Sequence, residues 1–159
     1  MTIQKRSVKK FYQTSGISAL AAPAWKTLEY YNFGAIRTLY NSLKDQDVKR
    51  AIAIRYNIKT PKVFNNYFNI IVTLRNLCAH FNVLFDEPLP FAVAKGPALN
   101  VNKKNKHKLY SYIKVVEYML NQISKNRCNE MMKEIHDLFE EHKDYPVINE
   151  IIVNNIIGN

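Results

Sequence analysis

Apolar positions recur at intervals of three and four along most of the chain, and no long stretch alternates apolar with polar residues as a half-buried strand would. The pattern is helical. From Pro23 onward, Trp25, Leu28, Ile36, Leu39 and Leu43 keep helical spacing, with Gly34 inside the run. A helix-interior glycine costs about 1 kcal/mol relative to alanine, so Gly34 marks either close packing or a break between two shorter helices. Asp45 or Asp47 caps a short helix carrying Val48, Ile52 and Tyr56, and "NIKTP" supplies the next boundary. Thr60 followed by Pro61 is a strong start signal, because proline's missing N–H is no loss in a first turn. The helix it opens carries Phe64, Tyr67, Phe68, Ile71, Leu74 and Cys78 on one face, the stripe of an element buried in a bundle. Leu109, Tyr112, Ile113, Val116, Leu120 and Ile123 define a second long helix, and Met131, Met132, Ile135, Leu138 and Phe139 a third. A last short helix starts near Pro146 with Ile148, Ile151 and Ile152. Between these, residues 83–103 hold Pro88, Pro90, Gly96 and Pro97 and read as a long loop, of a kind that tends to be functional or mobile. The expected architecture is a single domain over residues 1–159, an all-α bundle of five or six helices.

Charge narrows the partners. Lys and Arg exceed Asp and Glu by 23 to 13, a formal net charge of +10 that favours a polyanion. Two basic clusters stand out, Lys5, Arg6, Lys9 and Lys10 in "KRSVKK" and Lys103, Lys104, Lys106 and Lys108 in "KKNKHK". Each is placed to neutralise RNA phosphates or to form a solvated surface. Tyr30, Tyr31 and Phe33 are of the type that stacks on bases, although their helical spacing fits core packing as well. Cys78 and Cys128 lack metal or redox spacing and read as buried thiols in a reducing compartment. The polar "QTSG" breaks up the imitation of a secretory signal near the N-terminus, and no run approaches the roughly 20 apolar residues of a membrane span. A cytoplasmic protein without membrane attachment is expected.

Chemistry concentrates in "VTLRNLCAHFNVLF", residues 72–85. At about 100° per residue, Arg75 projects within about 20° of Phe64, inside the apolar stripe. Asn65, Asn69, Thr73, Asn76 and His80 gather on a polar side, where Asn76 lies four residues before His80 and is spaced to orient its imidazole. An arginine in such a stripe often snorkels, and a histidine ending a helix often only complements its dipole. Other chemistries have less support. The chain has no nucleotide-binding glycine motif, and His136 and His142 lack a metal ligand set. Glu130, Glu134, Asp137, Glu140 and Glu141 share a helix with Lys133 and Lys143, as on a solvated face.

"LRNLCAH" resembles the R-x4-6-H signature of the HEPN superfamily, in which a polar residue commonly follows the arginine. More narrowly, the chain is similar to the Abi-like abortive-infection proteins of bacteria. "PAWKTLEYYNFGAIRTLYNSLK" resembles their upstream pattern through Pro23, Trp25, Phe33, Gly34, Leu39, Tyr40 and Leu43. The resemblance runs from about residue 20 to 125. Val83 stands where members often carry a second basic residue, and members are commonly longer at the N-terminus, so the chain is either a short member or the C-terminal half of one.

The resemblance implies a HEPN-like bundle and a metal-independent endoribonuclease needing no cofactor. Its partners would be RNA and a second copy of the chain, with an antitoxin, protein or RNA, as a further one. In that reading Arg75, Asn76 and His80 form the catalytic set. An imidazole, with an unperturbed pKa of about 6.5, moves protons near neutral pH, and a guanidinium meets the charge developing on a phosphoryl group. Five residues along a helix separate two side chains by about 140°, so a composite site shared by two protomers is expected. The alternative is a non-catalytic RNA- or protein-binding domain regulated by a partner, since the superfamily includes members that bind without cutting. A third reading is a basic helical module for DNA or an anionic membrane, for which no recognition-helix signature is present.

Overall fold

The structure is a computed structural model that describes residues 31–80, 84, 89–99 and 105–157. The chain divides into two compact units, Met1–Ser42 and Leu43–Asn159. In the first, the described part holds helix α1 (Phe33–Ser42). Asn32 Oδ1 accepts from the Ala35 N–H at 2.8 Å and caps it. Gly34 therefore stands in the opening turn of a helix that begins beside it, where its missing side chain costs least. The stretch from Pro23 to Tyr30, with Trp25 and Leu28, which would carry a helix on the other side of such a break, lies outside the described residues.

The described residues of the second unit are helical apart from its loops, and those of the chain hold six α-helices and no strand, as the apolar spacing predicts. Helix α2 (Gln46–Arg55) starts at Asp45, whose carboxylate accepts from the N–H groups of Asp47 and Val48 at 2.8 and 3.3 Å. It ends on a left-handed Asn57 (φ 54°), with the Ile58 N–H bonded to Ala53 O and the Asn57 N–H to Ile54 O. This two-bond closure satisfies carbonyls that a helix end otherwise leaves open, and it drives Ile58 into the core. The Tyr118 hydroxyl donates to Tyr56 O at 2.9 Å, tying that corner down from another helix.

Helix α3 (Pro61–Ala79) starts where Thr60 and Pro61 predict, with Thr60 Oγ1 accepting from the Val63 N–H. It buries Phe64, Tyr67, Phe68, Ile70 and Val72, an arc of about 200° rather than one stripe. The arc is wide because α3 packs on α2 and on α4 (Leu109–Ile123). Tyr56, Phe64 and Phe68 stack along the α2 side with ring centroids 5.3 and 5.8 Å apart, and Tyr67 meets Tyr118 edge-on across the α4 side. Burial stops at Val72: Ile71 and Leu74 are half-buried, while Arg75, Asn76, Cys78, Ala79 and His80 are exposed. Cys78 is thus not the buried thiol that its place on the stripe predicts. The stripe outruns the neighbours that cover it.

Helix α4 is the hub, packing on α3, on α5 (Lys125–His142) and on a closing π-helical turn (Ile152–Ile157) that continues α6 (Pro146–Ile151). Its buried face is Ser111, Tyr112, Val115 and Met119, turned from the predicted stripe, of which Tyr112 alone is fully buried. Ser124 alone separates α4 from α5 and caps the latter through Arg127 N–H. Cys128 is buried and the carboxylates of α5 are exposed, as expected. No helix among the described residues is long and apolar enough to cross a membrane.

Burial pushes the phenols of Tyr67 and Tyr112 above the ordinary value of 10.0. Below that value both folded and unfolded phenols are neutral and stability is unaffected. Above it the unfolded phenol ionises while the folded one keeps its proton, so stability falls as pH rises through the ordinary value toward the folded one. Melting temperature is expected to drop steeply from about pH 10 upward, and less steeply in Tyr112→Phe, which has one fewer phenol to ionise. Identical alkaline slopes for the two proteins would contradict this.

Candidate functional site

The last turn of α3 and its C-cap bring Arg75, Asn76 and His80 to the surface together. Arg75 Nη1 donates to Asn76 Oδ1 at 3.1 Å. The amide therefore holds the guanidinium; no side-chain bond joins Asn76 to His80 among the described residues. His80 is the C-cap itself, with φ −104° and ψ 12° and its N–H on Asn76 O and Cys78 O. Since its backbone leaves the helical path, the roughly 140° separation of a continuous helix no longer fixes where the imidazole points. Arg75 keeps the azimuth of the buried face but lies beyond the core, where a cation needs no buried counter-ion. The set offers a permanent cation, an amide and an imidazole. Among the described residues no three His, Cys, Asp or Glu side chains gather as a metal would require.

Of the basic positions, Lys5, Arg6, Lys9, Lys10, Lys103 and Lys104 lie outside the described residues, as does Tyr30. Lys106 and Lys108 are half-buried where the long loop returns to α4. Lys108 Nζ donates to Asn154 O at 3.0 Å and so steadies the closing turn. Lys106 makes no ion pair among the described residues.

The described part of the long loop, residues 89–99, is strapped to the bundle. Asn66 works as a two-sided clamp, its Nδ2 donating to Ala92 O at 2.9 Å and its Oδ1 accepting from the Ala94 N–H at 2.8 Å. The Tyr112 hydroxyl accepts from the Phe91 N–H and donates to Phe91 O, both at 2.9 Å. Tyr67 Oη accepts from the Ala98 N–H, and a Cβ on Gly96 would lie 2.5 Å from that same oxygen. Glycine is required there for the close approach. His107 Nδ1 lies 2.7 Å from Leu89 O, and because a carbonyl only accepts, that nitrogen carries the ring proton. Spacing picks out none of these anchors. One signal was available: two tyrosines on buried stripes each need a partner for the hydroxyl.

A family model described as Abi-like protein matches residues 2–86, just over half of the chain, and so includes the whole of α3. The chain belongs to the Abi-like protein family. No curated protein and no solved structure gives a match. The matched span of this Abi-like chain holds both stretches that carry the sequence resemblance, "PAWKTLEYYNFGAIRTLYNSLK" and "LRNLCAH". The strap, α4 and the second basic cluster lie beyond it. Membership supports an abortive-infection role.

Proposed function

We propose that this Abi-like protein is a metal-independent endoribonuclease of the HEPN type, serving a bacterial abortive-infection or toxin-antitoxin defence against phage. The observation that carries the reading is the joint exposure of Arg75, Asn76 and His80 at the end of α3, with Arg75 continuing the buried face and bonded to Asn76. In the reaction the RNA 2′-oxygen bonds to phosphorus as the bond to the 5′-oxygen breaks, leaving a 2′,3′-cyclic phosphate. One proton leaves the 2′-hydroxyl and one reaches the 5′-oxygen. His80 moves these protons, and Arg75, held by Asn76, meets the charge on the non-bridging oxygens.

A homodimer supplies what one chain lacks. Leu74, Arg75 and Cys78 continue the azimuth of Phe64, Tyr67 and Ile71 beyond the end of the core, which gives a second copy a surface to cover. Two such copies contribute two imidazoles, one to take a proton and one to give it. RNA and, in the cell, an antitoxin of protein or RNA are the partners in this cytoplasmic reading.

One observation favours the non-catalytic alternative: Asn76 engages Arg75, and among the described residues no side chain is bonded to His80 to orient it. Incubation of pure protein with total cellular RNA in chelator, followed by mapping of the new ends, separates the readings. Fragments ending in 2′,3′-cyclic phosphate are expected. Intact RNA that still binds would leave the binding-domain reading.

A further inference from the structure

The strap fixes its backbone while leaving one aromatic side chain in water. Phe91 is 41% exposed, although its N–H and C=O are both bonded to the buried Tyr112 hydroxyl. Leu89 and Val93, on either side, are buried, and their N–H groups bond to His107 O and Lys106 O at 3.0 Å each. Phe91 is thereby held beside Lys106 and His107, just before α4. Lys95, exposed on the same strap, and Lys106 make no ion pair among the described residues.

We infer that the strap is a subsite for a single-stranded segment of RNA, in which Phe91 stacks on a base while Lys95 and Lys106 hold neighbouring phosphates. The inference rests on RNA being the partner of the proposed site. A ring with an open face suits any base, because every base has a π-face, and cations beside it suit the connecting backbone. A fixed strap also loses little conformational freedom on binding. His80 lies fourteen positions beyond the clamp Asn66, about 20 Å along the helix. Phe91 is therefore a positioning residue, removed from the reacting phosphate.

The test uses the full chain carrying His80→Ala, so that RNA is bound without being cut, and reads fluorescence anisotropy of a labelled mixed-sequence single-stranded RNA. Phe91→Ala in that background is expected to weaken binding about 5- to 100-fold. Phe91→Leu, apolar but without a π-face, should weaken it similarly, and Phe91→Trp should retain it. Lys106→Ala should lower the salt dependence of binding. The backbone bonds at Phe91 do not use its side chain, so melting temperatures should match. Equal affinities for the Ala, Leu and Trp variants overturn the subsite even where RNA binds, as does equal dependence on Phe91 for a duplex DNA or a protein ligand. No RNA binding by the parent chain overturns the subsite together with the RNA reading. Phe91-dependent binding by a wild-type chain that never cuts RNA removes the nuclease reading and leaves the subsite standing.

Discussion

Replacing His80 with alanine is expected to lower RNA cleavage about 10²- to 10⁴-fold while leaving the fold intact, the range typical for loss of a proton-transferring group. His80 is exposed, and the hydrogen bonds of its position come from the backbone N–H, so circular dichroism and melting should not move. Arg75 completes the argument. Arg75→Lys keeps the charge but loses the planar fork, and about a hundredfold loss of turnover is expected for a transition-state donor. Sedimentation of Arg75→Ala distinguishes the two roles open to this residue. A variant that remains dimeric but is inactive places Arg75 at the phosphate, whereas one that dissociates places it in the contact between copies. His80→Ala cleaving at the wild-type rate would end the nuclease proposal at this site.

Tyr112→Ala is expected to cost about 3–5 kcal/mol of stability and Tyr112→Phe about 1–3 kcal/mol, both read from urea unfolding. Tyr112→Phe isolates the hydroxyl, and the difference between the two variants isolates the ring. Alanine removes a fully buried ring from the face where α4 meets the strap, whereas phenylalanine keeps the ring and strands the Phe91 N–H and C=O. Hydrogen exchange at the Phe91 and Val93 amides reports the same event locally. In Tyr112→Phe, Phe91 should lose protection while Val93, bonded to Lys106 O, keeps most of its own. A neutral Tyr112→Phe with unchanged exchange would mean that packing of Leu89 and Val93 holds the strap and the hydroxyl does not.

Local signals were legible because their physics is local. Thr60 and Pro61 open α3 through one side-chain bond and one absent N–H, and Pro146 opens α6 through the absent N–H alone. The intervals of three and four placed the helices because a helix must turn its apolar side toward something. Which apolar side is covered, and how far along, depends on neighbours that spacing does not contain. That is why Cys78 proved exposed, and why the buried face of α4 is turned from the predicted stripe and centres on Tyr112 and Val115.

The same division runs through the site. The residue types at Arg75, Asn76 and His80 and their place late in a long helix were readable in "LRNLCAH". The partner of Asn76 was not, because four-residue spacing brings it near His80 while the adjacent guanidinium reaches it first. The strap lies furthest from local inference: Asn66, Tyr67, Tyr112 and His107 hold a loop 18 to 31 residues away in sequence. Periodicity and capping record how a segment satisfies itself, whereas a buried hydroxyl or amide takes whichever backbone group the folded chain carries past it.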